Sequence, residues 1–501
     1  MKIVLFVHSV ISDWSHGNAH FLRGLMRALR RRGHDVVACE RWRNWSTDQL
    51  FEDHGAGPIV EFARRFPDLE IRVYGGWDTI VEEVDTLTRG ADLVLVHEFN
   101  EPELVAAVGQ VRRRRGDFVA FFHDTHHRAA SVPHQIARFD LGAYDGVLAY
   151  GDSLARIYRR DFGVERAWTF HEAADTTVFR PMTAEKVDDV VWIGNWGDDE
   201  RSREIREYLV DSARALPELR FAVHGVRYPE AARREIEEAG VEFRGWIANY
   251  RVPEAFARAK MTMHIPRGPY LGRLPGIPTI RPFEALACGI PLLSTPWSDV
   301  EGLFREGIDH LMVRSPGEMR QAIRRLAGDE EARLRLAEHG LETIRSRHTC
   351  DHRAEQLEAI YDEVAAVAGG AILGRALPLG RRAGPATNRR GEAVRAAVIH
   401  GPGDLRIERV ADPAPGPGEV VIRTLAASIC NATDVHIWEG LVGEELRPPY
   451  PHVLGHERSG EVVAVGEGVR GLSVGDRVAC WAKMDGAFGE YDVLRPWQYP
   501  T

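Results

Sequence analysis

Arg281 and Glu284 open a run, Arg281-Pro-Phe-Glu-Ala-Leu-Ala-Cys-Gly289-Ile-Pro-Leu-Leu-Ser-Thr295, that reads as a helix, a glycine turn and a buried strand. A carboxylate near the start of such a helix stands at the mouth of an α/β sheet, where ligands bind. It can accept two hydrogen bonds from a ribose diol, while Arg281 and the positive end of the helix favour a diphosphate, which together make a nucleotide-sugar site. The same spacing also fits an amphipathic helix that packs Phe283, Leu286 and Ala287 and leaves Glu284 solvated. A second group is His123-Asp124-Thr125-His126-His127. Its composition suits zinc, but consecutive positions rarely face one centre. At the carboxyl end of a strand over 118–122, His123 and Asp124 would face a cleft and orient an acceptor hydroxyl or take its proton; the alternative is a histidine-rich loop bonded to its own backbone. A third group is Cys430, His456 and Glu457, with Asp434 nearby.

The elements that must position these groups are legible as alternation. Apolar runs at Ile3–Val7, Leu93–Val96, Val119–Phe122, Val147–Ala149, Val190–Ile193, Phe221–Val223, Met261–Ile265 and Pro291–Leu293 alternate with amphipathic stretches, which predicts a mostly parallel sheet buried on both faces. A strand at Lys2–Val7, a polar loop through Ser15-His16-Gly17-Asn18 and a helix from about Ala19 to Arg32 form the first unit, and Gly17 lets a ligand approach the helix. The pattern restarts at Val190-Val-Trp-Ile-Gly194-Asn195, so two doubly wound domains are expected, 1–178 and 179–368, facing each other across a cleft. Near their seam lies His171-Glu-Ala-Ala-Asp175-Thr-Thr-Val-Phe179-Arg-Pro181, in which Asp175 suits a turn. The Gly/Pro-rich segment Pro266-Arg267-Gly-Pro-Tyr270-Leu-Gly-Arg273 suits a loop covering a ligand. Arg201 is either a further diphosphate contact or a solvated surface arginine.

A helix over about 354–367 precedes a stretch rich in Gly, Pro, Ala and Arg, read as a linker at 369–394. From 395 to 501 the texture turns to β-strands, with runs at 395–400, 405–410, 419–424, 459–465 and 477–480. Gly466-Glu-Gly468-Val-Arg-Gly471 matches a dinucleotide fingerprint, but it falls between strands with no helix following and is read as a turn.

The chain has 501 residues, 44% of them hydrophobic, enough for two to four domains with proper cores. Its formal net charge of −10 disfavours nucleic acid as a partner. The short apolar run at the amino terminus fits neither a signal peptide nor a membrane span, so a cytoplasmic protein with at most peripheral membrane contact is expected. Five dispersed cysteines argue for reduced thiols.

With these motifs in view, residues 1–368 resemble GT-B glycosyltransferases, specifically the family-4-like group that includes spore-maturation CgeB-like proteins. The resemblance rests on Asp175-Thr-Thr-Val-Phe179-Arg-Pro181, Ile193-Gly194-Asn195 and Arg281-Pro-Phe-Glu284-Ala-Leu-Ala-Cys-Gly289. It implies a metal-independent transferase: the second domain would hold a nucleotide-diphosphate sugar, with Glu284 on the ribose and Arg281 near the diphosphate, and the first would hold an acceptor that the sequence leaves unknown. The family's second glutamate, eight residues before the one matching Glu284, is Gly276 here, which leaves the sugar contacts and the stereochemical outcome open. Arg267, Tyr270 and Arg273 are candidates to replace it.

The last segment resembles the GroES-like domain of medium-chain zinc alcohol dehydrogenases, on Ala427-Ser-Ile-Cys430-Asn-Ala-Thr-Asp434-Val-His436, Val453-Leu-Gly455-His456-Glu457 and Val474-Gly-Asp476-Arg-Val478. That resemblance implies zinc on Cys430 and His456 with Glu457 close by. Because the sequence stops at Thr501, before the family's third ligand and nucleotide domain, an incomplete, weak site in an inert appendage or fusion remnant is expected. The competing functional classes are an NAD(P)-dependent zinc alcohol dehydrogenase activity and a non-catalytic scaffold of GT-B shape.

Overall fold

A computed structural model describes residues 1–76, 78–197, 199–372, 393–430, 433–441, 449–469, 472–480 and 485–494. The chain divides into two compact units, Met1–Arg375 and Ala376–Thr501. The first unit holds two Rossmann-like sheets in the GT-B arrangement. One has seven parallel strands, β1 (Lys2–Val7), β2 (Asp35–Arg41), β3 (Glu70–Tyr74), β4 (Leu93–His97), β5 (Val119–Asp124), β6 (Gly146–Ala149) and β7 (Ala167–Thr169), in the order β3-β2-β1-β4-β5-β6-β7. The other has six, β8 (Asp188–Ile193), β9 (Phe221–His224), β10 (Val241–Phe243), β11 (Ala259–His264), β12 (Leu292–Ser294) and β13 (Leu311–Met312), in the order β10-β9-β8-β11-β12-β13. The order reverses beside β1 and beside β8, and each reversal leaves a crevice beyond the carboxyl ends of the strands where ligands bind.

The apolar runs become the central strands because both faces are covered by helices; β1, β4 and β5 are buried along almost their whole length. One apolar cluster joins the two halves, reaching from Phe21 and Phe170 through Phe179 to Ile280, Phe283 and Leu286. The long helix Cys350–Ile372 starts earlier and runs further than the expected 354–367, and it packs against the helix Ala19–Arg31 of the first half. Arg32 and His34 pair with its Glu358, and its Gln356 donates to the Thr169 carbonyl. The segment expected to end the second domain therefore closes over the first, and residues 369–372, expected as linker, are still helical. The rest of that linker, 373–392, lies outside the described residues.

The second unit carries two antiparallel sheets. One pairs Val394–Gly401 with Asp404–Val410 and His452–Val453, and the other orders Arg477–Cys480, Glu457–Val465, Val420–Ser428 and Tyr491–Leu494. It is not wholly β, since a short helix, Asp434–Glu439, follows Cys430. Residues 466–469 turn between strands, as expected, and Gly471 of the fingerprint-like run lies outside the described residues.

Candidate functional site

A cavity of about 290 Å³ opens between the two sheets of the first unit. The loop after β1 supplies Ser15, His16 and Gly17, the loop after β8 supplies Gly194 and Asn195, and the start of the helix Ile280–Ala287 supplies Thr279 and Arg281. Asn195 ties the walls together, donating to Ser15 Oγ at 3.0 Å and accepting from Val226 N–H at 3.0 Å. A Cβ on Gly225 would lie 2.1 Å from the Gly194 carbonyl oxygen, so the two backbones meet there with no room for a side chain. Ser15 (φ 53°) and Thr279 (φ 63°) hold the left-handed region without being glycine, local strain that the cavity walls retain. The helix behind Thr279 has no acidic residue in its first turn and no side-chain cap, so its amide end keeps its positive field toward the cavity.

Of the sequence-derived nucleotide-sugar residues, Gly17, Gly194, Asn195, Arg201, Arg267, Tyr270 and Arg281 all line this cavity. Arg201 lies with its guanidinium 5.5 Å from the centre of the Trp192 ring. Arg273 does not join them: it donates to the Ala130 carbonyl at 3.2 Å and lies outside the cavity. Gly276 takes φ 92°, and a Cβ there would come within 2.6 Å of Glu301 Oε1, so an acidic side chain has no place at this position. Glu301 instead accepts from Asp152 N–H at 2.9 Å and pairs with His171 at 2.9 Å.

Glu284 lies one layer behind the wall, fully buried and neither solvated nor in contact with the cavity. Its Oε1 pairs with His20 Nδ1 at 2.8 Å and accepts from Asn249 Nδ2 at 2.6 Å, while Arg281 donates to Oε2. His20 Nε2 in turn accepts from Asp175 N–H at 2.9 Å, which puts the imidazole proton on Nδ1 and directs it at Glu284. Burial pushes the Glu284 carboxyl up, but the Arg281 charge and the bonds from His20 and Asn249 prevail and hold it below the usual range. Asn249 N–H reaches Asp13 at 3.1 Å, and Asp13 pairs with the buried Arg23 at 2.9 Å. This chain of groups links the two halves. Nothing in local spacing marks His20, Asn249 or Asp13, because the pairing joins residues up to 264 positions apart.

His123 and Asp124 also lie behind the wall, and the expectation that they face the cleft is corrected. They are the last two residues of β5 and are buried. Asp124 accepts from Tyr158 Oη at 2.5 Å and from His126 N–H at 2.8 Å, and burial raises its carboxyl to about 6. His123 packs against Phe21 and Phe170, and burial lowers it to about 3. The next two residues, Thr125 and His126, are the ones that reach the cavity. Glu172, within the seam segment but unmarked by any motif, also lines it.

In the second unit, Cys430, His456 and Glu457 bring their ligand atoms within 4.8 Å of one another. Asp434 does not act as a further donor: it takes His456 Nδ1 at 2.9 Å and Cys430 N–H at 2.8 Å. Held through Nδ1, His456 presents Nε2 toward Glu457, 3.9 Å away. One thiolate, one imidazole and one carboxylate, with an orienting carboxylate behind the imidazole, fit a zinc ion that keeps a fourth position open.

Known proteins divide along the same line. A family described as glycosyl transferase-like matches residues 201–359, which contain Arg201, Arg267, Arg281 and Glu284. A family described as the alcohol dehydrogenase GroES-like domain matches residues 416–496. Similar solved structures include an alpha-glucosyltransferase in complex with UDP (TM-score 0.53, 11% identity, 72% of this chain and all of that one). The Anabaena protein HepE in complex with UDP and glucose is another (TM-score 0.51, 14%, 72% and 100%), as is a glycosyltransferase from Rickettsia africae (0.51, 10%, 73% and 98%). Sorbitol dehydrogenase from Ovis aries is 52% identical over 82 residues, and L-threonine 3-dehydrogenase from Pyrococcus horikoshii is 52% identical over 67. The chain spans 23% of the length of the former and 19% of the latter. The first unit is a glycosyltransferase-like GT-B fold, and the second contains an alcohol-dehydrogenase-like GroES segment.

Proposed function

We propose that the first unit, of the family-4-like kind, transfers a sugar from a nucleotide-diphosphate donor to an acceptor hydroxyl. The observation that carries this reading is the convergence of Arg201, Arg267 and Arg281 with an uncapped helix start on one cavity between two Rossmann-like sheets. Guanidinium groups and helix amides are the donors a diphosphate needs, and their charge would stabilise the leaving diphosphate as the glycosidic bond to it breaks. Gly17, Gly194, Asn195 and Tyr270 would complete the wall around base and sugar. Glu284 would serve as a positioning residue that fixes Arg281, rather than as the ribose acceptor. The similar solved structures that hold UDP, or UDP with glucose, support the choice of donor. Thermal stabilisation by a panel of UDP-, GDP- and dTDP-sugars tests it: a cognate donor at a hundredfold its Kd adds about 2.7 kcal/mol to the first unit. Arg281→Ala is expected to remove that gain, and no stabilisation by any member of the panel refutes the reading.

The convergent donors of the second unit favour a separate proposal, that Cys430, His456 and Glu457 bind zinc. Bound there, the ion would supply Lewis-acid chemistry. Equilibrium dialysis is expected to give one zinc per chain, lost in Cys430→Ser; equal binding by that variant rejects the site.

A further inference from the structure

Glu172 stands apart from the other buried carboxylates around the cavity. It is 3% exposed, it lines the cavity, and its Oε1 has no hydrogen-bond partner among the described residues. Asp13 also has one unpartnered oxygen, Oδ1, but its Oδ2 accepts from Arg23 and the Asn249 N–H, and Glu284 and the half-buried Glu301 each have a histidine or amide donor. A buried carboxyl with no partner costs stability, so its retention calls for something that satisfies it from the cavity side.

The charges around the cavity indicate what that group is. Arg201 and Arg281 both bear electrostatically on His264, which marks one end as cationic. Glu172 bears instead on Tyr150 and Tyr270, at an end walled by phenols and by Thr125 and His126, where Arg267 also acts. A diphosphate is drawn to the first end, where two guanidinium groups and the helix start meet, more than to the second, where Arg267 is the nearby cation and a buried carboxyl faces the space. What suits the second is a neutral group rich in hydroxyls, because a carboxyl and aromatic faces are the usual partners of a sugar ring's O–H and C–H edges. Burial, reinforced by the nearby Glu284 charge, holds the Glu172 carboxyl well above the usual carboxylate range. In either protonation state it can bond a hydroxyl, accepting from it or donating to it.

We propose that Glu172 is a specificity-determining residue that recognises hydroxyl groups of the transferred sugar. This assignment rests on reading the cavity as a nucleotide-diphosphate-sugar site.

The test is calorimetry on the full chain with UDP, UDP-glucose, GDP and GDP-mannose, for the wild type, Glu172→Gln and Glu172→Leu, together with the melting temperature of each. The wild type is expected to bind one sugar nucleotide more tightly than its parent diphosphate. Both variants should keep the affinity for the diphosphate within about twofold and lose about tenfold of the added affinity from the sugar. They should melt no lower than the wild type, since no protein partner is lost. An unchanged sugar increment, a wild type with no preference for any sugar, or variants that melt several degrees lower each overturn the assignment of Glu172. If the wild type binds none of the four, the nucleotide reading of the cavity fails first, and this assignment with it.

Discussion

Glu284 shows how a residue chosen correctly from its motif can act differently from what the motif suggests. The spacing Arg281-Pro-Phe-Glu284 puts both side chains on one turn, which makes their ion pair local and legible. The partners that decide the role of Glu284, His20 and Asn249, come from other elements and become visible only in three dimensions. With both oxygens engaged and no exposure, the carboxylate works as the joint between the halves. Glu284→Gln is therefore expected to destabilise the first unit by about 3–5 kcal/mol, because it leaves Arg281 without its buried countercharge and sets an amide against the donors of His20 and Asn249. Thermal melting checks this, and a melting temperature within a degree of the wild type shows that the network is not holding the halves. Glu172 is the converse case, a site candidate with no motif, carried only by burial and by the lack of a partner.

At the scale of elements, the central strands were legible because both faces are apolar, whereas β3, β7, β10 and β13 at or near the sheet edges were not. β3 reads Glu-Ile-Arg-Val-Tyr and is mostly exposed, so no continuous run announces it. The carboxyl ends of the central strands carry a property that no single position reveals. His8 follows β1, His97 ends β4, His123 lies in β5, and His16 and His126 lie in the loops beyond. Burial lowers His16 and His123 to about 3 and His8 to about 4, with His97 and His126 also well below the usual value. Each stays neutral in the folded chain at a pH where the unfolded chain protonates it. Their contribution to stability is therefore full above about pH 6.5 and falls as the pH drops toward the folded values, at about 1.4 kcal/mol per pH unit for each histidine. Asp124, raised to about 6, Glu98, raised to about 8, and the buried Asp13, Glu40 and Glu172, also raised, work in the opposite sense, but with His224, His264, His310 and His348 lowered as well the histidines outnumber them. Melting temperature measured from pH 7.5 to 4.5 should decline steeply below 6.5, and His123→Phe, packed between Phe21 and Phe170, should flatten the slope by about one proton. A flat profile contradicts the buried neutral cluster.

At the scale of the molecule, each compact unit has apolar clusters of its own, large in the first and small in the second, where Val420, Ile422, Val462, Cys480 and Leu494 form one and Ile399, Ile437 and Leu454 another. A unit with its own core is expected to unfold by itself, and a ligand stabilises only the unit whose folded form it binds. The full chain should therefore melt in two steps. A cognate nucleotide sugar should move only the step of Met1–Arg375, and zinc only the step of Ala376–Thr501, each by about 2.7 kcal/mol at a hundredfold its Kd. A chain ending at Arg375 should keep the first step and its response to nucleotide, because the helix Cys350–Ile372 that closes over the first sheet is then complete. Ending at residue 349 removes that helix, and with it the pairing of Glu358 with Arg32 and His34 and the bond from Gln356 to Thr169. That shorter chain should lose the cooperative step altogether. If it melts like the longer one, the returning helix does not hold the first half; if zinc and nucleotide move the same step, the two units unfold as one.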